Sequence, residues 1–160
     1  MNIETTPDLF KAGMRKLLSG LSLITTQLDG KPYGLVATSV SSLATEPPSL
    51  IVCINKNASA HDPVLRSGAF AVNILNDQQG DLAARFFSSS RREERFVAGE
   101  WTPGIDGVPL YTDSLVCIEC ELRDAIPKYS HSIIIADVRR MHLNKRSEAR
   151  PLSYFDGKCA

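Results

Sequence analysis

The sequence predicts a mainly β protein with a few peripheral helices (α+β), an antiparallel barrel rather than a doubly wound sheet. Some six or seven runs rich in β-branched and apolar residues punctuate the chain, and few helical stripes separate them. No strand–helix–strand repeat occurs, as a parallel sheet would need. With 160 residues, 43% of them hydrophobic, the chain can bury one sizeable core and leaves little room for a second domain.

The first element reads as a helix. Thr6 can cap it, Pro7 suits its first position, and Phe10, Met14, Leu17 and Leu18 form one apolar stripe, with Ser19-Gly20 as the stop. A strand over 21–27, a turn at Leu28-Asp29-Gly30-Lys31-Pro32 and a strand over 33–40 form a hairpin. Ser41 to Pro48 reads as a polar loop stiffened by two prolines, and 49–54 as the next strand. After a polar stretch from Asn55 to Ala60, a short helix begins at Asp62-Pro63 and stops at Gly68, and 69–75 is a strand. Asp77 is the expected cap of a helix with Leu82, Ala83 and Phe86 on its inner face. Residues 88–113, charged and then rich in Gly and Pro, read as a long excursion. Strands return over 114–123 and 132–141, with a short last one over 152–155.

Basic and acidic residues balance at 18 each, so no large net field attracts nucleic acid or an anionic membrane. The N-terminus lacks a basic start followed by an apolar run, and no stretch approaches the roughly 18 apolar residues of a membrane span. A cytoplasmic protein with no nucleic-acid or membrane partner is expected. Of the four cysteines, Cys117 and Cys120 have the spacing of a redox pair or half a zinc site. Both lie in a strand-like run, where i and i+3 point to opposite faces, and no second pair or clustered histidine completes a metal site. Buried thiols in a reduced cytosol, and no metal, are therefore expected.

The usual nucleotide, zinc and nucleophile-elbow signatures are absent, and none of the three histidines, His61, His131 and His142, has an obvious nucleophile beside it. What stands out is hydroxyl density. Thr38, Ser39, Ser41, Ser42 and Thr45 precede Pro47-Pro48 directly, and such a segment suits a phosphate or the polar edge of a flavin. A solvated turn would have the same composition.

Read as one string, Gly34-Leu-Val-Ala-Thr-Ser-Val-Ser-Ser-Leu-Ala-Thr-Glu-Pro-Pro-Ser-Leu-Ile-Val-Cys-Ile-Asn55 resembles the flavin reductase domain family. The likeness continues through Gly68-Ala-Phe-Ala-Val-Asn-Ile-Leu75, Gln79 to Phe87, Glu94-Arg95-Phe96 and His131, and covers roughly Phe10 to Phe155. Within the family it is similar to the reductase components of two-component aromatic hydroxylases, such as that of 4-hydroxyphenylacetate 3-monooxygenase. The resemblance implies an FMN-binding split β-barrel, usually homodimeric, that reduces FMN or FAD with NADH or NADPH and serves a separate flavin-dependent monooxygenase through transient contact.

Carried over residue by residue, Thr38, Ser39, Val40 and Ser41 would line the isoalloxazine and ribityl chain, and Cys53, Ile54, Asn55 and Lys56 would contact the ring. Ser59 would take the phosphate, with Phe87 and Arg92 near the phosphate or adenylate end and Tyr154 beside the flavin. His131 matches the histidine of the family's Gly-Asp-His segment by the nicotinamide, but here Tyr129-Ser130 replace the glycine and aspartate. That departure keeps open a second reading, a non-catalytic flavin-binding or electron-carrier protein on the same barrel. A third, an oxidase acting on a phosphorylated pyridoxine, has only the Arg91 to Arg95 cluster in its favour.

Overall fold

The computed structural model describes residues 4–97, 100–145 and 148–160, so the first three residues and Ala98-Gly99 of the excursion lie outside the described residues. Among the described residues twelve strands, β1 Ser19–Gly20, β2 Ser22–Leu28, β3 Lys31–Ala37, β4 Val40–Thr45, β5 Pro48–Asn55, β6 Ala69–Ile74, β7 Trp101–Pro103, β8 Pro109–Tyr111, β9 Val116–Lys128, β10 His131–Leu143, β11 Ser153–Phe155 and β12 Lys158–Cys159, join three helices. The helices are α1 Pro7–Met14, α2 His61–Ser67 and α3 Gly80–Phe87.

Seven strands form one antiparallel sheet in the order β3-β2-β6-β9-β10-β5-β4. Its two edge strands, β3 and β4, are consecutive in the chain and joined only by Thr38-Ser39. Two residues reach roughly 10 Å at most. The sheet must therefore curl until its edges almost meet, without the hydrogen bonds that would close it. This is a split barrel, and Thr38-Ser39 sit at the split.

The barrel's interior is the alternate face of these strands. Ile24, Val52, Ile54, Phe70, Val72, Ile134 and Ala136 are all buried there. A second cluster, Leu21, Leu23, Leu75, Leu82, Ala83 and Phe86, lies outside the barrel under α3. Gly34 makes that packing possible, because a Cβ on it would stand 2.7 Å from Phe86 Cε1. The β2–β3 hairpin closes through Asp29 and Gly30, both at positive φ (51° and 76°), as two-residue hairpins require. Gly68 ends α2 in the left-handed conformation, φ 70°.

Several expectations need correction. The first helix stops at Met14, because Ser19-Gly20 is recruited as a strand against Ser153-Tyr154. Its stripe is not core: Phe10, Met14, Leu17 and Leu18 are all exposed. The strand expected to reach Val40 ends at Ala37, and the polar loop of 41–45 is the edge strand β4, paired with β5. Its hydroxyls suit an edge that faces solvent on both sides, so polarity there marked exposure rather than loop. Asp77 does not cap α3; Gln79 occupies that position, and its Oε1 accepts the Asn76 N–H at 2.9 Å. The excursion contains the β7–β8 hairpin; β9 starts later than expected, at Val116, and runs on to Lys128, while β10 is longer than expected at both ends. Among the described residues no helix is long and apolar enough to cross a membrane.

Candidate functional site

At the split, Thr38 and Ser39 are exposed and lead into Val40 and Ser41 at the start of β4. Ser39 Oγ donates to the Cys53 carbonyl at 3.0 Å and accepts the Cys53 N–H at 3.2 Å. That hydroxyl acts as a rung between the split and β5, so it is spent within the protein. Ser41 Oγ donates to the Ser42 carbonyl at 3.2 Å, whereas the Thr38 hydroxyl has no partner among the described residues.

The far end of β5 meets the start of β10. His131 lies directly opposite Asn55, and Cys53 opposite Ile133. Lys56 reaches over the turn that precedes β10: its N–H donates to the Ser130 carbonyl at 2.9 Å and its Nζ to the Tyr129 carbonyl at 2.8 Å. Asn55 Oδ1 accepts the Asn57 N–H at 2.9 Å, which shapes the following loop. Ser130 Oγ and His131 Nδ1 share a 2.8 Å hydrogen bond, so the serine orients the imidazole. Beneath them, His61 Nε2 bonds Ser132 Oγ at 2.9 Å and ties α2 to the residue after His131. The side chain of Ile54 is fully buried in the barrel, so only its backbone is available to a ligand.

Ser59 and Arg92 line one cavity of about 360 Å³ with Lys31, Tyr33, Glu93 and Phe96. Arg92 and Arg95 line it, Arg91 stands beside Arg92 in the chain, and the three differ sharply. Arg91 is clamped by Asp81 at 2.9 Å and Glu94 at 2.6 Å, and these hydrogen bonds hold its pKa above the usual guanidinium value. Arg95 is buried and donates to the carbonyls of Arg85, Phe86 and Ser88, which fastens this loop to the end of α3. Burial lowers its pKa. Arg92 is exposed and has no ion-pair partner among the described residues, and Lys31 only stacks on Tyr33, at 5.4 Å. Lys31, Tyr33, Glu93 and Phe96 were not nominated from sequence. The available signal was the two-residue spacing of Lys31 and Tyr33, which puts both on one face of β3.

Phe87 and Tyr154 pair with ring centroids 6.5 Å apart. Tyr154 packs on the cluster under α3, and Phe87 is 55% exposed beside it. The structure thus yields three groups: the split with the β5–β10 end, the Ser59–Arg92 cavity, and this aromatic pair. The first two are linked by the loop after Asn55, where the Ala58 N–H returns to the Asn55 carbonyl at 3.0 Å.

A larger hollow of about 440 Å³ contains none of the nominated residues. It lies at the far ends of β9 and β10, where Glu119 accepts from His142 Nε2 at 2.7 Å and from the Ile105 N–H. Cys117 and Cys120 are free and buried on opposite faces of β9, in separate apolar clusters. Burial, with Glu119 nearby, pushes their thiols up to about 11 and about 12.

These residues fit a flavin: a free hydroxyl at the split, and a serine and two uncommitted cations in the cavity next along the chain. Residues 14–160 match the flavin reductase like domain. The chain is 34% identical over 146 residues to the FMN reductase (NADH) RutF of Pseudomonas syringae, which covers 91% of this chain and 81% of the relative. It is 28% identical over 157 residues to the reductase subunit HsaB of a flavin-dependent monooxygenase from Mycobacterium tuberculosis, covering 98% and 83%. The structure of nitrilotriacetate monooxygenase component B from Mycobacterium thermoresistibile superposes with a TM-score of 0.89 at 28% identity, over 96% of this chain and 84% of that one.

Proposed function

The chain belongs to the flavin reductase-like domain family, and from that premise we propose that it is an NAD(P)H:flavin oxidoreductase that supplies reduced FMN or FAD to a partner flavin-dependent monooxygenase. The observation that carries this reading is the convergence of Thr38–Ser41, Cys53–Lys56 and Ser130-His131 at one end of the barrel. The flavin supplies the two-electron chemistry when bound, and the protein contributes orientation and electrostatics. Thr38 and the backbone of the split hold the ring's polar edge. Ser59 takes the phosphate, and Arg92 neutralises charge beside it. His131, oriented by Ser130, positions the nicotinamide at the exposed side of the site and is not required as a base.

The exposed apolar residues Phe10, Met14, Leu17 and Leu18 support assembly as a homodimer. The cytoplasm, where nicotinamide dinucleotides are available, is the proposed compartment. The test is NADH and NADPH oxidation at 340 nm with and without added FMN or FAD. Turnover that saturates with flavin is the expected result, and no oxidation with either flavin would refute the proposal. Bound flavin without turnover would favour a carrier, the reading that Tyr129-Ser130 keeps open.

A further inference from the structure

We propose that His61 is a positioning residue for nicotinamide binding: its buried hydrogen bond to Ser132 fixes the start of β10, and with it the place of His131. This rests on the reading above that His131 positions the nicotinamide, and it adds a residue too deeply buried to touch either substrate.

His131 is held by little of its own. Its side chain is exposed, and its one hydrogen bond among the described residues is to Ser130, next to it in the chain. The backbone on either side therefore sets its position. Before it, Lys56 holds the turn through the carbonyls of Tyr129 and Ser130. After it, the next side chain points the other way, into the barrel, because successive strand residues face opposite sides. Ser132 is 2% exposed there, in line with the buried Ile134 and Ala136.

Its partner inside is an imidazole. His61 opens α2, the helix whose Val64 packs into the barrel core, and is itself 7% exposed. Both ring nitrogens are used: Nε2 meets Ser132 Oγ at 2.9 Å, and Nδ1 meets Asp62 Oδ1 at 2.7 Å. The carboxylate accepts from Nδ1–H, which in the neutral ring leaves Nε2 to accept from the serine hydroxyl. Asp62 thus sets the direction of the bond and Ser132 its end point. An apolar pair of similar volume would fill the same space without direction, whereas a satisfied buried hydrogen bond fixes both angle and distance. The His61 N–H also closes the loop that carries Ser59, donating to the Ala58 carbonyl at 3.0 Å. One residue thus joins that loop to the strand that presents His131. Misplacement by about 1 Å near a reacting centre can cost on the order of a hundredfold in rate, so a tie one residue from His131 bears on turnover as well as on stability.

The experiment compares NADH kinetics and flavin titrations of the intact protein with those of three single variants. His61→Asn is too short to reach Ser132, and Ser132→Ala removes the hydroxyl. His61→Gln places an amide where Nε2 stands and keeps the bond. The KM for NADH is expected to rise at least about fivefold in His61→Asn and Ser132→Ala, with kcat and flavin affinity within about twofold of the parent. His61→Gln should stay within about twofold on all three, and the double variant of His61→Asn with Ser132→Ala should be no worse than either alone, because both break one bond. If His61→Asn fails to fold, Ser132→Ala, which loses a single oxygen atom, carries the test. An unchanged KM for NADH in Ser132→Ala, even with a lower Tm, overturns the proposal and leaves a bond that only stabilises. A flavin affinity that falls as far as the KM rises also overturns it. Parent protein that oxidises no NADH with either flavin overturns the reductase reading, and this proposal with it.

Discussion

His131 stands directly opposite Asn55 across the β10–β5 pairing, and Lys56 bonds through both its N–H and its Nζ to the turn just before that histidine. Two segments 76 positions apart in the chain (131 − 55) thus form one surface. If His131 positions the nicotinamide while the split and β5 hold the flavin, the two jobs separate under mutation. His131→Asn is expected to lower kcat/KM for NADH by roughly tenfold to a hundredfold, through KM more than kcat. Flavin affinity should change by less than about threefold. Steady-state kinetics beside a flavin titration checks this, and an equal loss of flavin binding would contradict the division of labour.

Tyr129 sits at φ 49° with its side chain 86% exposed. A left-handed conformation costs a non-glycine residue about 1–2 kcal/mol, and little packing is gained here in return. Tyr129→Gly, after allowing for glycine's greater freedom when unfolded, is expected to stabilise the protein by about 0.5–1 kcal/mol. A rise in Tm measured by calorimetry is the check.

Glu119 is almost fully buried, and burial alone would raise its pKa. The hydrogen bonds from His142 and the Ile105 N–H, with Arg140 nearby, outweigh that and bring the carboxyl below its ordinary 4.5. A carboxylate depressed by folding stabilises above its unfolded pKa, and that stabilisation is lost as pH falls through the folded value. Stability should thus decline below about pH 4.5 with a contribution from Glu119. Glu119→Gln should cost roughly 1–3 kcal/mol at neutral pH and flatten that acid limb in denaturant titrations.

The cysteines divide by environment. With their thiols pushed up to about 11 and 12 inside apolar clusters, Cys117 and Cys120 should resist a thiol reagent at pH 8 until the protein unfolds. Cys159 is exposed and should react in the native state. Counting thiols with and without denaturant distinguishes the classes.

The legible parts of the fold were those where local pattern and tertiary demand agree. The Asp29-Gly30 turn, the stop at Gly68 and the inner face of α3 were all predictable because glycine and apolar spacing act locally. The edge strand β4 was hidden by its own exposure, since a strand bare on both faces loses the alternation that marks one. The helix stripe at Phe10 and Met14 misled for the opposite reason: apolar residues at helical spacing imply a covering, and this chain alone does not supply it. At the site, the resemblance is what nominates Ser39, Asn55, Ser59 and His131. No local signal could show that the Ser39 hydroxyl would be spent on Cys53 or that Ile54 would point into the barrel. The register between β5 and β10 is a tertiary fact.

Flavin is expected to pass through this protein as a substrate. Anaerobic mixing of a small amount of protein with NADH and a large excess of FAD or FMN, followed near 450 nm, tests that directly. Bleaching of many flavin equivalents per protein chain is the predicted result. Bleaching that stops at one equivalent, or none, would contradict it and identify a protein that holds flavin without releasing it.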